Sequence, residues 1–207
     1  MGWDVAVPGD DFERVGEHQP AVAALRALAR FSPSRMEVNE VTVQLRDFAP
    51  DDWHDIYPFF TEIIEAGETY AYPEHLDFEQ ARRYWVPQPP GRAIVAREGA
   101  RVIGTATMGP NRPGRGSHIA TASFMVDPAH RGKGVGRAMG NEMLGWARRQ
   151  GYHGVQFNAV VQTNTSAVHL WQSLGFRVLG TVPGTFDHRR HGRVGLNVMY
   201  LPLTAPP

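Results

Sequence analysis

The stretch "VDPAHRGKGVGRAMG", residues 126–140, combines residue types and spacing that suit the binding of an anion. It holds four glycines and three cations, Arg131, Lys133 and Arg137, between an apolar run and a segment with helical spacing. Glycines let the main chain approach a ligand closely, and the first turn of a helix presents N–H groups that have no partner within the helix. The stretch therefore predicts a phosphate site at a helix N-terminus.

Three known glycine patterns bind phosphates in such a place. A Walker loop needs a serine or threonine after its lysine, but Lys133 is followed by Gly134. A Rossmann fingerprint needs G-x-G-x-x-G, and the spacing here is G-x-G-x-G. The third pattern, R-x-x-G-x-G, is met, and residues 127–149 carry five cations against two carboxylates. A glycine-rich turn that only connects two elements is the alternative to an anion site.

Two segments together resemble the GNAT superfamily of N-acetyltransferases. The glycine loop is similar to the pyrophosphate loop with which that superfamily binds acetyl-CoA. The segment "NTSAVHLWQSLGF", residues 164–176, matches its second signature, N-x-x-A-x-x-L-(aromatic)-x-x-x-G-F. The resemblance runs from Val41 to Leu203 and implies acetyl-CoA as co-substrate, with direct transfer of the acetyl group to an amine.

The resemblance also implies roles for individual residues. The main-chain groups of Phe124, Met125 and Val126 would pair with the pantetheine arm like an added strand. The N–H groups near Phe124 and Met125 would stabilise the oxyanion. Asn164 would hydrogen-bond the pantetheine or order a water, and an ordinary helix N-cap is its alternative. The residues implied to hold acetyl-CoA are Met125, Val126, Arg131, Gly132, Lys133, Gly134, Val135, Gly136, Arg137 and Asn164.

A closer resemblance concerns the acceptor amine. The segment "QFNAVVQTNTSAVHLWQSLGF", in which Asn158 and Asn164 stand six apart, is similar to the branch that contains L-azetidine-2-carboxylate N-acetyltransferase, a detoxifying enzyme. That branch usually has an asparagine where this chain has Thr121. The substrate contacts implied are Thr121, Phe124, Asn158 and Tyr70, with Asn158, Asn164 and Phe124 taking part in catalysis. A neighbouring loop that satisfies the Asn158 amide is the alternative for that residue.

Proton transfer is the least determined part of the chemistry. Many members of the superfamily have a tyrosine where this chain has Trp171, whose indole N–H donates hydrogen bonds only. We interpret Trp171 as a core aromatic, which leaves Tyr70, Tyr72 and Tyr152 as other candidate donors. A thiol with a pKa of about 8.5 can leave without an acid. Glu68 is a candidate base acting through water, with a solvated loop carboxylate as the alternative.

The elements that must position these residues follow from the pattern of apolar residues. Strand and helix signals from Val41 onward alternate as βααβββαβαββ, which predicts one α/β domain over 41–207. The resemblance implies a GNAT-type fold, with a central mixed, mostly antiparallel sheet flanked by helices. Residues 1–40 are predicted to be a partly helical N-terminal extension, and Pro58 is expected to bend or split the first helix of the domain.

Composition limits the class of protein and its partners. The chain has 207 residues, with 21 basic and 21 acidic side chains and no cysteine. Balanced charge argues against nucleic acid or an anionic membrane as partner, and no apolar run is long enough to span a membrane. No residue spacing predicts a metal site. We therefore expect a cytoplasmic protein with a small-molecule substrate, and the resemblance implies a homodimer.

Two further functions stay open at the level of sequence. The acceptor of an acetyltransferase could instead be a phosphinothricin-like antibiotic or a protein N-terminus, because a fold does not determine a substrate. A non-catalytic acyl-CoA-binding module is the other alternative, and Trp171 in place of a tyrosine favours it.

Overall fold

The computed structural model describes residues 35–38 and 41–203, so most of the predicted N-terminal extension, with its helical part, lies outside the described residues. The strands are β1 (Arg35–Val38), β2 (Val41–Asp47), β3 (Arg92–Glu98), β4 (Arg101–Pro110), β5 (Ile119–Val126), β6 (Gly154–Val161), β7 (Arg177–His188) and β8 (Gly192–Pro202). The helices are α1 (Trp53–Glu65), α2 (Phe78–Trp85), α3 (Val135–Arg149) and α4 (Thr165–Ser173). No helix of this part of the chain is long and apolar enough to cross a membrane.

The described strands form one sheet in the order β1-β2-β3-β4-β5-β6-β8-β7. Each neighbouring pair is antiparallel except β5 and β6, which run parallel. This confirms the mixed, mostly antiparallel sheet flanked by helices that the sequence predicts. The parallel pair is matched at only two positions, Ile119 with Gly154 and Ala120 with Val155. Both strands continue for another six residues, so they part after this point.

Both faces of the sheet are covered by helices, because alternate residues of the central strands are apolar on both sides. Ile94 belongs to the cluster that packs with α3, whereas its neighbour Val95 belongs to the cluster that packs with α1 and α2. A strand buried on two faces lacks the simple apolar–polar alternation of a strand with one wet face. The strands β5 and β6 therefore part within a sheet that is covered by helices on both faces.

Three details differ from the expected elements. Helix α1 continues through Pro58, so the predicted split is wrong; the burial of Phe59 and Phe60 on its apolar face offsets the one main-chain hydrogen bond that a proline removes. Strand β1 lies within the predicted extension, where it pairs with β2. Strands β7 and β8 extend to a short turn at residues 189–191, through irregular pairing that periodicity does not reveal.

Candidate functional site

A cleft of about 1000 Å³ opens where β5 and β6 part. One end is formed by the glycine loop and the start of α3, and the other by the loop after α1 and the turn between β7 and β8. Its lining includes the predicted residues Tyr70, Thr121, Phe124, Met125, Val126, Arg131, Gly132, Gly134, Val135, Gly136, Arg137, Asn158 and Asn164. The tertiary structure thus brings the two sequence signatures and the predicted substrate contacts to one cleft.

The open edge of β5 presents main-chain groups from alternate residues. The N–H of Asp127 donates to the carbonyl of Ile103 at 3.0 Å, so the odd-numbered residues of β5 bond to β4. The N–H and C=O groups of Ala122, Phe124 and Val126 therefore face the cleft, while those of Met125 are used within the sheet. An extended ligand that adds to this edge would meet the even-numbered residues.

The glycine loop has the main-chain geometry that an anion site requires. Gly132 and Gly134 have φ angles of 75° and 78°, in the left-handed region that side chains disfavour. Helix α3 begins at Val135, and its first intrahelical bond runs from Ala138 to the carbonyl of Gly134. The N–H groups of the first turn thus have no partner within the helix. Arg131 and Arg137 are exposed beside it, and Lys133 is half-buried.

Gly136 and Gly140 serve a purpose that the sequence pattern does not show. A Cβ on Gly136 would lie 3.2 Å from Leu170, and one on Gly140 would lie 2.9 Å from Leu174. Both leucines belong to α4 or its end, so the two glycines let α4 pack closely against α3. The structure therefore assigns Gly136 a packing contact in addition to its predicted place in the anion loop.

Tyr70 is bonded to the main chain of β5 by its hydroxyl group. The hydroxyl donates to the carbonyl oxygen of Phe124 at 2.6 Å and accepts from the N–H of the same residue at 3.2 Å. Burial, with a smaller contribution from nearby Tyr72, raises the pKa of Tyr70 well above its usual range. A hydroxyl with such a pKa keeps its proton at neutral pH and acts as a hydrogen-bond donor.

The other two candidate tyrosines occupy different places. Tyr72 lines the cleft, its ring lies 5.4 Å from that of Tyr70, and burial raises its pKa despite a hydrogen bond to Ser123. Tyr152 packs against Trp146 with ring centroids 5.2 Å apart and does not line the cleft. Of the three, Tyr70 and Tyr72 are therefore placed to contact a ligand.

The amide of Asn158 already has two partners. It donates to the side-chain oxygen of Asn111 at 2.6 Å and accepts from the amide of Gln156 at 2.8 Å. Asn111 lies in the loop after β4, so the neighbouring-loop alternative describes this contact correctly. Asn158 also lines the cleft at an irregularity in the pairing of β6 with β8. To bind substrate, the Asn158 amide would have to make a further hydrogen bond or exchange Asn111 or Gln156 for the substrate.

Asn164 and Trp171 take the structural roles that their types favour. Asn164 is the N-cap of α4 and accepts from the N–H of Ala167 at 3.3 Å, which confirms the capping interpretation while leaving the residue at the wall of the cleft. Trp171 is 6% exposed, and its ring lies 4.6 Å from Phe124 and 4.9 Å from Phe157. Trp171 is thus a core aromatic whose ring packs against Phe124 and Phe157 at the wall of the cleft.

The acceptor end of the cleft is closed by contacts between two loops. The N–H of Arg189 donates to the carbonyl of Gly67 at 3.0 Å, and its guanidinium pairs with Glu74 at 2.7 Å. Next to this contact, Arg190 Nε lies 2.6 Å from Glu68 Oε1, and both side chains line the cleft. The sequence motif "FDHRRHG" marks this turn as basic, but only the fold places it opposite Glu68.

The arginines of the loop between β4 and β5 lie outside the cleft. Neither Arg112 nor Arg115 lines it. Within the described ranges, no cluster of three or more His, Asp or Glu side chains is placed to hold a metal ion. Among the described residues, the Arg, Lys, Asp and Glu side chains that line the cleft are Glu62, Glu68, Arg131, Arg137 and Arg190; the predicted Lys133 does not line it.

The fold and the cleft together define an α/β protein with a cleft between two parting strands and a helix N-terminus at one end, an arrangement suited to an extended ligand with an anionic end. Residues 51–176 match the model of the acetyltransferase (GNAT) family. The chain belongs to this family.

Solved structures support the same assignment. A GCN5-related N-acetyltransferase from Kribbella flavida is 57% identical, with a TM-score of 0.75 over 78% of this chain and 98% of that one. A phosphinothricin acetyltransferase from Sinorhizobium meliloti, solved in complex with acetyl-CoA, is 25% identical, with a TM-score of 0.69 over 80% of this chain and 93% of that one.

Curated relatives match over shorter segments. The N-acetyltransferase aca1 of Schizosaccharomyces pombe is 41% identical over 81 residues, which are 39% of each chain. The L-amino acid N-acyltransferase MnaT of Escherichia coli is 36% identical over 91 residues, 44% of this chain and 52% of the relative. The matched segments thus span about half of these relatives or less.

Proposed function

We propose that this protein transfers the acetyl group of acetyl-CoA directly to the amine of a small amino or imino acid, with L-azetidine-2-carboxylate as the first acceptor to test. The observation that carries the proposal is the cleft between β5 and β6, which joins an anion-binding helix start to a chamber lined by Tyr70, Thr121 and Asn158. MnaT and the Sinorhizobium enzyme, named for an amino-acid and a phosphinothricin acceptor, support this class of substrate.

The residues present fit acetyl-CoA. The free N–H groups of the first turn of α3, with Arg131 and Arg137 beside them in the lining of the cleft, suit the pyrophosphate. The main-chain groups of Ala122 and Val126 on the open edge of β5 suit the amides of the pantetheine arm. Gly132 and Gly134 have positive φ angles and no side chain, so the main chain of the loop can come close to the phosphates.

The chemical step needs few protein groups. The nitrogen of the neutral amine forms a bond to the thioester carbonyl carbon, and the bond from that carbon to sulfur breaks, so that the sulfur leaves as thiolate. The acylated nitrogen loses one proton to water and the thiolate takes up one, which gives the amide and the free thiol. A thiolate of pKa about 8.5 is a sufficient leaving group, so Trp171 need not be replaced by an acid. In this structure the Tyr70 hydroxyl and the Phe124 main chain bond to each other. We propose that the bound thioester displaces these bonds, so that the hydroxyl and the N–H donate to the negative charge that develops on its carbonyl oxygen.

The amine must lose a proton before it reacts. An alkylammonium with a pKa near 10 costs roughly 4 kcal/mol to deprotonate at pH 7. Glu68 is the carboxylate at the acceptor end of the cleft that we propose to assist through water. We further propose a cytoplasmic location, with which a chain that has no cysteine is compatible.

The test is a thiol-release assay with acetyl-CoA and a panel of amines. The panel contains azetidine-2-carboxylate, proline, the 4-hydroxyprolines, phosphinothricin, primary amino acids and a peptide with a free N-terminus. We expect release with cyclic or primary amino acids and none with the peptide. Selective release with azetidine-2-carboxylate would show that Thr121 can replace the asparagine of the detoxifying branch. Acetyl-CoA binding without release from any amine would contradict transfer and favour a binding module.

A further inference from the structure

The acceptor end of the cleft contains an ion pair that is open to a ligand. Arg190 Nε and Glu68 Oε1 are 2.6 Å apart, and the two side chains are 68% and 31% exposed. Both line the cleft that holds the predicted substrate contacts. A partly exposed pair of this kind contributes little to stability, which leaves its groups available to bind a ligand.

The turn that carries Arg190 is held in place by its neighbours. The main chain of Arg189 bonds to Gly67, its side chain pairs with Glu74, and the N–H of Arg190 donates to His188 Nδ1 at 3.1 Å. His188 is only 4% exposed, so its ring is a fixed support. These contacts anchor the turn without using the Arg190 guanidinium, which can therefore exchange its partner while the turn stays in position.

We propose that the acceptor is a zwitterion whose ammonium group pairs with Glu68 and whose carboxylate pairs with Arg190, so that it inserts into the ion pair. This rests on the proposed acetyl transfer and names the substrate class of the same site. The carboxylate of such a ligand takes the place of Glu68 beside Arg190, and its ammonium group takes the place of Arg190 beside Glu68. Neither side chain is then left as an unpaired ion in the cleft. A guanidinium binds a carboxylate in two parallel hydrogen bonds, which suits an α-amino or α-imino acid.

The pairing also explains how Glu68 would face the amine. When the carboxylate of the acceptor pairs with Arg190, Glu68 loses its cationic partner. The Glu68 carboxylate can then pair with the ammonium group of the same acceptor. An amine without a carboxylate lacks the group that separates the pair. The inserted zwitterion is therefore distinguished from its amide and from a simple amine by charge alone.

The experiment measures kcat and KM by thiol release for matched acceptors: an accepted amino acid, its primary amide, and the amine that lacks the carboxyl group. For the unaltered protein we expect the acid to have a KM about 10- to 100-fold below that of the amide. Arg190→Gln should raise the KM of the acid by that factor and leave the KM of the amide unchanged. Glu68→Gln should raise the KM of both, since both carry an ammonium group, and should lower kcat for both, since it removes the proposed base.

Arg193→Gln is the matched control, because Arg193 is an exposed arginine at the start of β8, directly after the same turn, and does not line the cleft. It should leave the ratio of acid to amide unchanged. Equal turnover of acid and amide by the unaltered protein, or an equal loss for both in Arg190→Gln, would overturn the insertion while acetyl transfer stands. Thiol release from no acceptor, with acetyl-CoA binding intact in calorimetry, would overturn the transfer itself and the insertion with it.

Discussion

At the residue scale, the hydroxyl of Tyr70 combines two properties that decide its role. It contacts both main-chain groups of Phe124, and its pKa is raised by burial well above the usual range. A phenol that holds its proton so firmly is a poor acid toward a thiolate of pKa about 8.5. The hydroxyl is better suited to donate a hydrogen bond to charge that develops on the acyl oxygen.

We therefore expect Tyr70→Phe to lower kcat by about 100-fold, in the range measured when one oxyanion donor is removed. The pH profiles of kcat for the unaltered protein and the variant should have the same shape between pH 7 and about 10, because Tyr70 does not ionise there. Steady-state kinetics across this range checks both points.

Tyr152→Phe provides the control for this measurement, since Tyr152 packs against Trp146 outside the cleft. Its kcat should match that of the unaltered protein. An alkaline limb that is present in the unaltered protein and absent from Tyr70→Phe would show that Tyr70 titrates, contrary to its environment.

At the element scale, the contact between α3 and α4 depends on glycines in the middle of a helix. A Cβ at position 140 would lie 2.9 Å from Leu174 and 3.1 Å from Trp171, which are both held by the core. The glycine loop lies at the start of α3, and Asn164 lies at the start of α4. The contact between the two helices therefore sets the spacing of two walls of the cleft.

Gly140→Ala should lower the free energy of unfolding by about 1 to 3 kcal/mol through overpacking. Thermal unfolding monitored by circular dichroism measures this. Gly145→Ala in the same helix is the matched comparison, because its Cβ would meet only the flexible end of Arg149 at 3.1 Å. There the alanine should be neutral or stabilise the helix by about 0.5 to 1 kcal/mol. Equal effects at both positions would show that helix propensity, not packing, dominates.

At the scale of the whole molecule, β7 is an edge strand with little cover. Its residues from Arg177 to Thr185 are all exposed, and Leu179 and Val182 are 63% and 50% exposed. Exposed edges with apolar side chains favour pairing with another strand. An antiparallel edge can pair with its own copy about a two-fold axis, so a second copy of this chain is the partner we propose.

The homodimer implied by the resemblance to the superfamily stays a prediction, and β7 is where it can be tested. Light scattering coupled to size-exclusion chromatography should give twice the mass of one chain at micromolar concentration. Leu179→Glu should shift the protein to the mass of one chain, because it places a charge on the exposed edge of β7. Leu203 packs against the core and is not part of this edge. A single-chain mass for the unaltered protein at every concentration would contradict the prediction.

Much of this protein was determined by short-range patterns in its sequence. The glycine loop before α3, the cap at Asn164 and the alternation of strands and helices each depend on residues a few positions apart, where turn geometry and periodicity act. The core position of Trp171 also follows from its type and spacing. These features were predictable because the local physics at each position agrees with the fold.

The cleft itself was decided only by the tertiary structure. The parting of β5 and β6, the bond from Tyr70 to Phe124 and the ion pair of Glu68 with Arg190 join residues that are distant in the chain. The same holds for the bond from Asn158 to Asn111 and for the fit of Gly140 against α4. Residue type names the partners that each group can accept, but only long-range packing of the sheet selects which of them it meets.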